Sequence, residues 1–144
     1  MQEYLYLSND FCLDSKGNYL KLNQKLYGFS KALCLYYGSS IEGRNKAMTY
    51  YTSYSKVLPL VVSNKYHIYY LRTRSYKSSD IALINYTKLL SYKPIDTSTT
   101  RLLFQNDIYL DIHVNYRIIK RQMMIMKTYI KHYFINTFNS MDNF

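Results

Sequence analysis

Around Asn115 the apolar residues change period, and no other feature of the sequence limits the possible folds so strongly. Upstream, Ile108, Leu110, Ile112 and Val114 alternate with Tyr109, Asp111 and His113. That period of two marks a strand with one buried face and one wet face. Downstream, Ile119, Met123, Met126, Ile130 and Tyr133 recur at spacings of three and four, the stripe of an amphipathic helix. Gln105, Asn106 and Asp107 supply turn chemistry between "RLLF" and the alternating run. The sequence therefore predicts a hairpin that leads into a helix over about residues 116–138. A chain that must pack such a helix on such a hairpin belongs to the α+β class. The expected form is a mostly antiparallel sheet or partly closed barrel followed by the long C-terminal amphipathic helix. Its stripe of Ile119, Met123, Met126 and Ile130 is expected to cover the sheet or to meet a second subunit.

Before the hairpin, Tyr19–Leu22, Ala32–Tyr37, Met48–Tyr54, Tyr66–Leu71 and Ile81–Leu90 are rich in aromatic and aliphatic residues and are expected to be strands. Pro59 and Pro94 punctuate the first and last of the basic ones. The expectation is one domain over residues 1–144, β-rich over 15–114. A hydrophobic fraction of 48% and an aromatic fraction of 17% exclude intrinsic disorder. The opening "MQEYLYLSND" lacks the basic start and apolar core of a secretory leader. No uncharged apolar run approaches the ~20 residues of a membrane span. Cytoplasmic residence follows as the expectation, with Cys12 and Cys34 both reduced.

Charge divides the chain. The total is +10, from 19 basic and 9 acidic residues. Residues 1–43 are neutral, whereas Arg44, Lys46, Lys56, Lys65, Arg72, Arg74, Lys77, Lys88 and Lys93 face Asp80 alone over residues 44–93. Such a localised field attracts polyanions, nucleic acid above all. Arg117, Lys120, Arg121, Lys127 and Lys131 lie largely off the apolar stripe of the C-terminal helix. A basic amphipathic helix can also bind a membrane surface or a partner's groove.

No catalytic constellation can be assembled. His67, His113 and His132 fall in unrelated segments, and neither they nor the two cysteines have the spacing of a metal site. Cys34 sits in an apolar run, where a buried structural thiol is the commoner role. "YGSSIEGRNK" lacks the residue order of a nucleotide-cradling loop. No enzyme activity, cofactor or metal is expected.

One segment is more specific. "CLYYGSSIEGRNK" begins like a strand and then turns through Gly38, Ser39 and Ser40 to Gly43 and Arg44, where the basic block starts. The run Cys34, Tyr36, Tyr37, Gly38, Ser39, Ser40, Gly43 and Arg44 resembles the signature of the ComK family, bacterial activators of genetic competence. The similarity extends weakly over residues 30–114. The resemblance implies a cytoplasmic, nucleoid-associated activator. It would bind paired A/T-rich boxes in double-stranded DNA, largely through the minor groove and as a homo-oligomer. It further implies contact with RNA polymerase and control by a Clp-protease adaptor, with no membrane partner.

A narrow A-tract minor groove concentrates negative potential and draws in Arg or Lys. Arg44, Lys46, Arg72 and Arg74 are the candidates for that contact, Arg44 foremost. Ser39, Ser40 and nearby backbone N–H groups would hold phosphates, and Lys65 and Lys77 complete the DNA-binding set. Gly38 and Gly43 also fit a tight turn without any ligand. Members of the family run longer than this chain, which ends at Phe144. Two alternatives thus stay open: a non-activating interaction module that modulates a longer paralogue, and an RNA-binding β-domain whose tyrosines stack on unpaired bases.

Overall fold

The computed structural model describes the backbone of residues 3–142 and the side chains through Ile135. Its elements in chain order are β1 (Tyr4–Ser8), β2 (Cys12–Asp14), β3 (Tyr19–Leu20), α1 (Leu26–Tyr36), α2 (Ile41–Thr52), β4 (Leu60–Ser63), β5 (Ile68–Arg72), β6 (Ala82–Asn85), β7 (Leu89–Pro94), β8 (Thr100–Phe104), β9 (Tyr109–Ile112) and α3 (Tyr116–Asp142). All strand pairs are antiparallel. They form a six-stranded sheet, ordered β3-β2-β1-β6-β5-β4, and a three-stranded meander, β7-β8-β9. The class is α+β as the sequence predicts, but the two sheets stay separate and no barrel closes.

The large sheet is covered on both faces. Leu60, Val62, Tyr70 and Leu83 point into one cluster with Leu26, Leu33, Cys34 and Ile41 of the helical pair α1–α2. Their strand neighbours Val61, Tyr69, Leu71 and Ile84 point the other way, into a cluster with Leu102, Phe104 and Ile112 of the meander and Ile119, Ile125 and Met126 of α3. Strands buried on both faces lose the apolar–polar alternation, which is why β4 and β6 read as unbroken runs. Helix α2 also reaches α3, where Tyr51 meets the rings of Tyr129 and Tyr133 edge-on, 5.7 Å between centroids in each case. β4 is the last strand of its sheet, and α1 and α2 pack over it, which protects it as an edge.

The hairpin and the final helix stand where their periods place them. Ile112 and Val114 are buried while Tyr109, Asp111 and His113 are exposed, and Asn106 and Asp107 take left-handed backbone angles in the turn. The helix starts at Tyr116 and continues to Asp142, past the expected end. Of its apolar stripe, Ile119 and Met126 are buried and Met123 and Ile130 pack against the same core.

Five expectations need correction. All of Ala32–Tyr37 but its last residue, and most of Met48–Tyr54, are helix, not strand. The buried residues explain why: Leu26, Ser30, Leu33 and Cys34 in α1 recur at helical spacing and fill one face against the sheet. Ile81–Leu90 is not one strand, because a turn at Tyr86–Lys88 ends β6 and begins β7. Tyr19–Leu22 contributes only the two residues of β3. The β-rich region starts at Tyr4 rather than at residue 15, with β1 placed between β2 and β6.

Candidate nucleic-acid interface

The glycine–serine signature forms the corner between α1 and α2, and most of its polar groups are used within the fold. The Cys34 carbonyl accepts from the Ser39 N–H at 2.9 Å and from the Ser39 hydroxyl at 3.1 Å, which closes the end of α1. Gly38 reverses the chain at φ +78°, a left-handed angle that costs glycine nothing. Ser40 is the N-cap of α2, its Oγ accepting from the Gly43 N–H at 3.0 Å. A Cβ at Gly43 would lie 3.0 Å from that same Oγ, so the second glycine leaves room for the cap. Arg44 turns inward, and its guanidinium donates to the Val62 carbonyl at 3.3 Å. Ser39, Ser40 and Arg44, expected on DNA, each also make a bond within the fold at this corner.

Arg72 is buried and bonded within the fold. It is 7% exposed, donates from Nε to the Leu58 carbonyl at 2.9 Å and from Nη1 to the Arg74 carbonyl at 3.0 Å, and lies over the Tyr76 ring at 4.4 Å. Burial lowers its pKa from the ordinary arginine value, with the nearby Tyr76 opposing. Its backbone N–H donates at 2.9 Å to Oε1 of Gln122, whose Nε2 donates at 2.6 Å to the Val57 carbonyl. Gln122 is 1% exposed. It joins α3, the end of β5 and the loop before β4. Sequence reasoning overlooked it, although a glutamine between Ile119 and Met126 on a core stripe signals a buried hydrogen-bonding role.

That loop organises the remaining cations. Val57 holds a positive φ of 46°, a strained setting for a β-branched residue. Arg121 keeps it there, donating to the carbonyls of Val57 at 3.2 Å and Lys56 at 2.9 Å while facing the Tyr54 ring at 5.4 Å. Two depressions border the loop, and a third, on α3, shares Arg121 with the second. Lys46, Thr49, Leu58 and Arg72 line the first; Val57, Arg74, Ser78 and Arg121 line the second; Arg117, Lys120, Arg121, Met124 and Lys127 line the third. On α3, Arg117, Lys120, Met124, Lys127 and Lys131 are all exposed and fall at successive spacings of three and four. They form a second stripe, cationic and solvent-facing, about 21 Å long.

Lys46 and Arg74 of the expected set join this band. Arg74 Nε lies 3.0 Å from Asp80 Oδ2, a half-exposed pair. The Ser78 hydroxyl and, after it, Arg74 hold the Asp80 carboxyl below its ordinary range. Lys77 is exposed in the loop that links β5 and β6. Lys65 stands apart, in the turn at the opposite end of β5 from Arg72, with its ammonium 5.3 Å from the Tyr66 ring centre. The α3 cations, absent from the expected DNA-binding set, were visible as residues off the apolar stripe. What the sequence did not show was which other cations they adjoin.

Among the described residues, no group of three or more His, Cys, Asp or Glu side chains could hold a metal, and no helix is long and apolar enough to cross a membrane. Asp111, the one acid of the hairpin's wet face, is taken by Arg101 through bonds of 2.7 and 2.9 Å. Among the described residues, two antiparallel sheets and three helices make up an α+β domain with cations gathered near one loop. The model of the ComK protein family matches residues 11–137 of the 144-residue chain. The chain belongs to the ComK family, a family of competence transcription factors. Comparison with curated proteins and with solved structures returned no match.

Proposed function

We propose that this protein is a DNA-binding activator of competence genes that recognises A/T-rich duplex with the band around Val57, not with the α1–α2 corner. The carrying observation is the exposed cationic stripe of α3 beside Arg74 and Lys46. Along that helix the first acid in the sequence is Asp142, so no acid opposes a phosphate backbone among its described side chains, which run through Ile135.

Dimensions apportion the roles. A helix with its side chains is about 10–12 Å across, whereas a minor groove is about 6 Å wide. Helix α3 therefore tracks phosphates, with Arg117, Lys120 and Lys127 setting affinity and register. Groove entry falls to a narrower segment, the β5–β6 loop with Arg74 and Lys77. Arg74 would exchange Asp80 for the groove floor, where A·T edges present only acceptors. Family membership suggests that binding is homo-oligomeric, in the cytoplasm at the nucleoid, with RNA polymerase and a Clp-protease adaptor as further partners.

Competition between A/T-rich duplex, G/C-rich duplex and single strands tests the reading. A/T-rich duplex should win, and Lys77→Ala should erode its advantage over G/C-rich duplex by roughly 1–3 kcal/mol. Preference for single strands would instead support an RNA-binding role. A well-folded protein that binds none of the three would support the interaction-module alternative.

A further inference from the structure

At the Ile68 end of β5, away from the Arg72 end that borders the basic band, five aromatic residues surround a cavity of about 160 Å3. Tyr4 and Phe29 meet edge to face on one side, 6.0 Å between centroids, and Tyr37 and Tyr66 meet at 5.9 Å on another. Tyr70, 2% exposed, is the most buried of the five. Glu3 is the one acid among the lining residues. Its Oε1 accepts from Asn85 Nδ2 at 3.2 Å, which positions the carboxylate, while Oε2 lies 3.9 Å from Lys88 Nζ, beyond hydrogen-bond reach.

Aromatic faces carry the negative part of the ring quadrupole and attract cations, most strongly where water is excluded. A carboxylate beside them adds a full charge of the same sign. Burial, and secondarily the Glu3 charge, pushes the Tyr70 hydroxyl well above its ordinary pKa, so it stays neutral. A purely apolar ligand would use the rings but not the carboxylate that lines the same cavity. We propose that this cavity binds the head of an organic cation, an alkylammonium or guanidinium group, against the rings of Tyr37 and Tyr66 with Glu3 as counter-ion. The Lys65 ammonium over Tyr66 already shows a cation resting on one of these rings. The inference is independent of the DNA-binding reading, since none of these residues belongs to the basic band.

Choline, its neutral isostere 3,3-dimethylbutanol, and an acetylated lysine-containing tripeptide amide are suitable probes, followed by NMR of the tyrosine rings of the whole chain. Choline should bind saturably and shift the Tyr37 and Tyr66 resonances, with the neutral isostere about ten-fold weaker or more. Tyr66→Ala alters a side chain that is 60% exposed, and it should weaken choline several-fold without lowering the melting temperature. Glu3→Gln, which keeps an acceptor for Asn85, should do the same. Tighter binding of the peptide than of choline assigns the head group to a partner's side chain; the reverse assigns it to a free small cation. Equal binding of the neutral isostere, or no saturation by either cation up to about 100 mM, would overturn the proposal. So would unchanged choline affinity in both variants.

Discussion

Arg72 carries a charge into a site where it donates to two main-chain carbonyls and stacks on Tyr76. A lysine there keeps the charge but cannot span both acceptors or lie flat on the ring. Arg72→Lys should therefore lower stability by about 2 kcal/mol, read as a shifted urea midpoint. Arg44→Ala should also destabilise, by about 1 kcal/mol through its lost bond to Val62, and should leave the A/T preference of the folded protein unchanged. Neither role was legible in the sequence, where a cation on a strand or in a glycine turn looks solvent-facing. Only the fold shows that carbonyls at Leu58 and Val62 need a donor. Acid response belongs to single residues too. The Asp14 carboxyl is held below its ordinary value, first by the backbone N–H of Asn18. Its contribution is thus fully present above the unfolded-state pKa, near 3.9, and is lost as pH falls through the lower folded value. The stability gap between the parent and Asp14→Asn should narrow steadily in that window, as followed by denaturant titration at each pH. A gap that stays constant down to strongly acidic pH would mean the carboxylate charge is not what stabilises that turn.

In the α1–α2 corner the polar groups of the glycine–serine motif cap helices. Gly38 ends one helix, Ser40 begins the next, and Gly43 clears space for the cap. Ser40→Ala should cost about 1 kcal/mol of stability with little effect on DNA affinity at equal folded fraction; a selective loss of affinity would return the corner to the binding site. The hairpin and α3 were readable because each has one buried face, so period alone fixed their type. Helix α1 was not, because Tyr and Leu suit strand and helix alike, although Leu26, Ser30, Leu33 and Cys34 do carry the helical spacing. Helix α2 has only Ile41 and Met48 fully buried. It is defined by its caps and by the strand it covers more than by an apolar stripe. β1 takes its place between β2 and β6 through pairing with residues far along the chain, Tyr6 with Ile84 and Leu7 with Leu83. No local pattern specifies that.

At the scale of the whole molecule, folding turns a charge block in the sequence into a surface. Of the nine cations between Arg44 and Lys93, Arg44 and Arg72 turn inward and Lys65 goes to the far end of β5, while Lys46 and Arg74 join four cations of α3 around the Val57 loop. If about four to six phosphates are neutralised there, the logarithm of the affinity should fall against the logarithm of salt with a slope near −4 to −5. The most direct test compares that slope in three proteins: the parent, Lys120→Gln/Lys127→Gln on the band, and Lys16→Gln/Lys21→Gln, two exposed lysines near β3. Each pair removes the same charge. The band variant should lose affinity for A/T-rich duplex and about two units of slope, while the β3 variant keeps the parental slope, with thermal melting unchanged in both. Equal slopes in the two variants, or a parental slope near zero, would contradict the assignment of DNA to the α3 band.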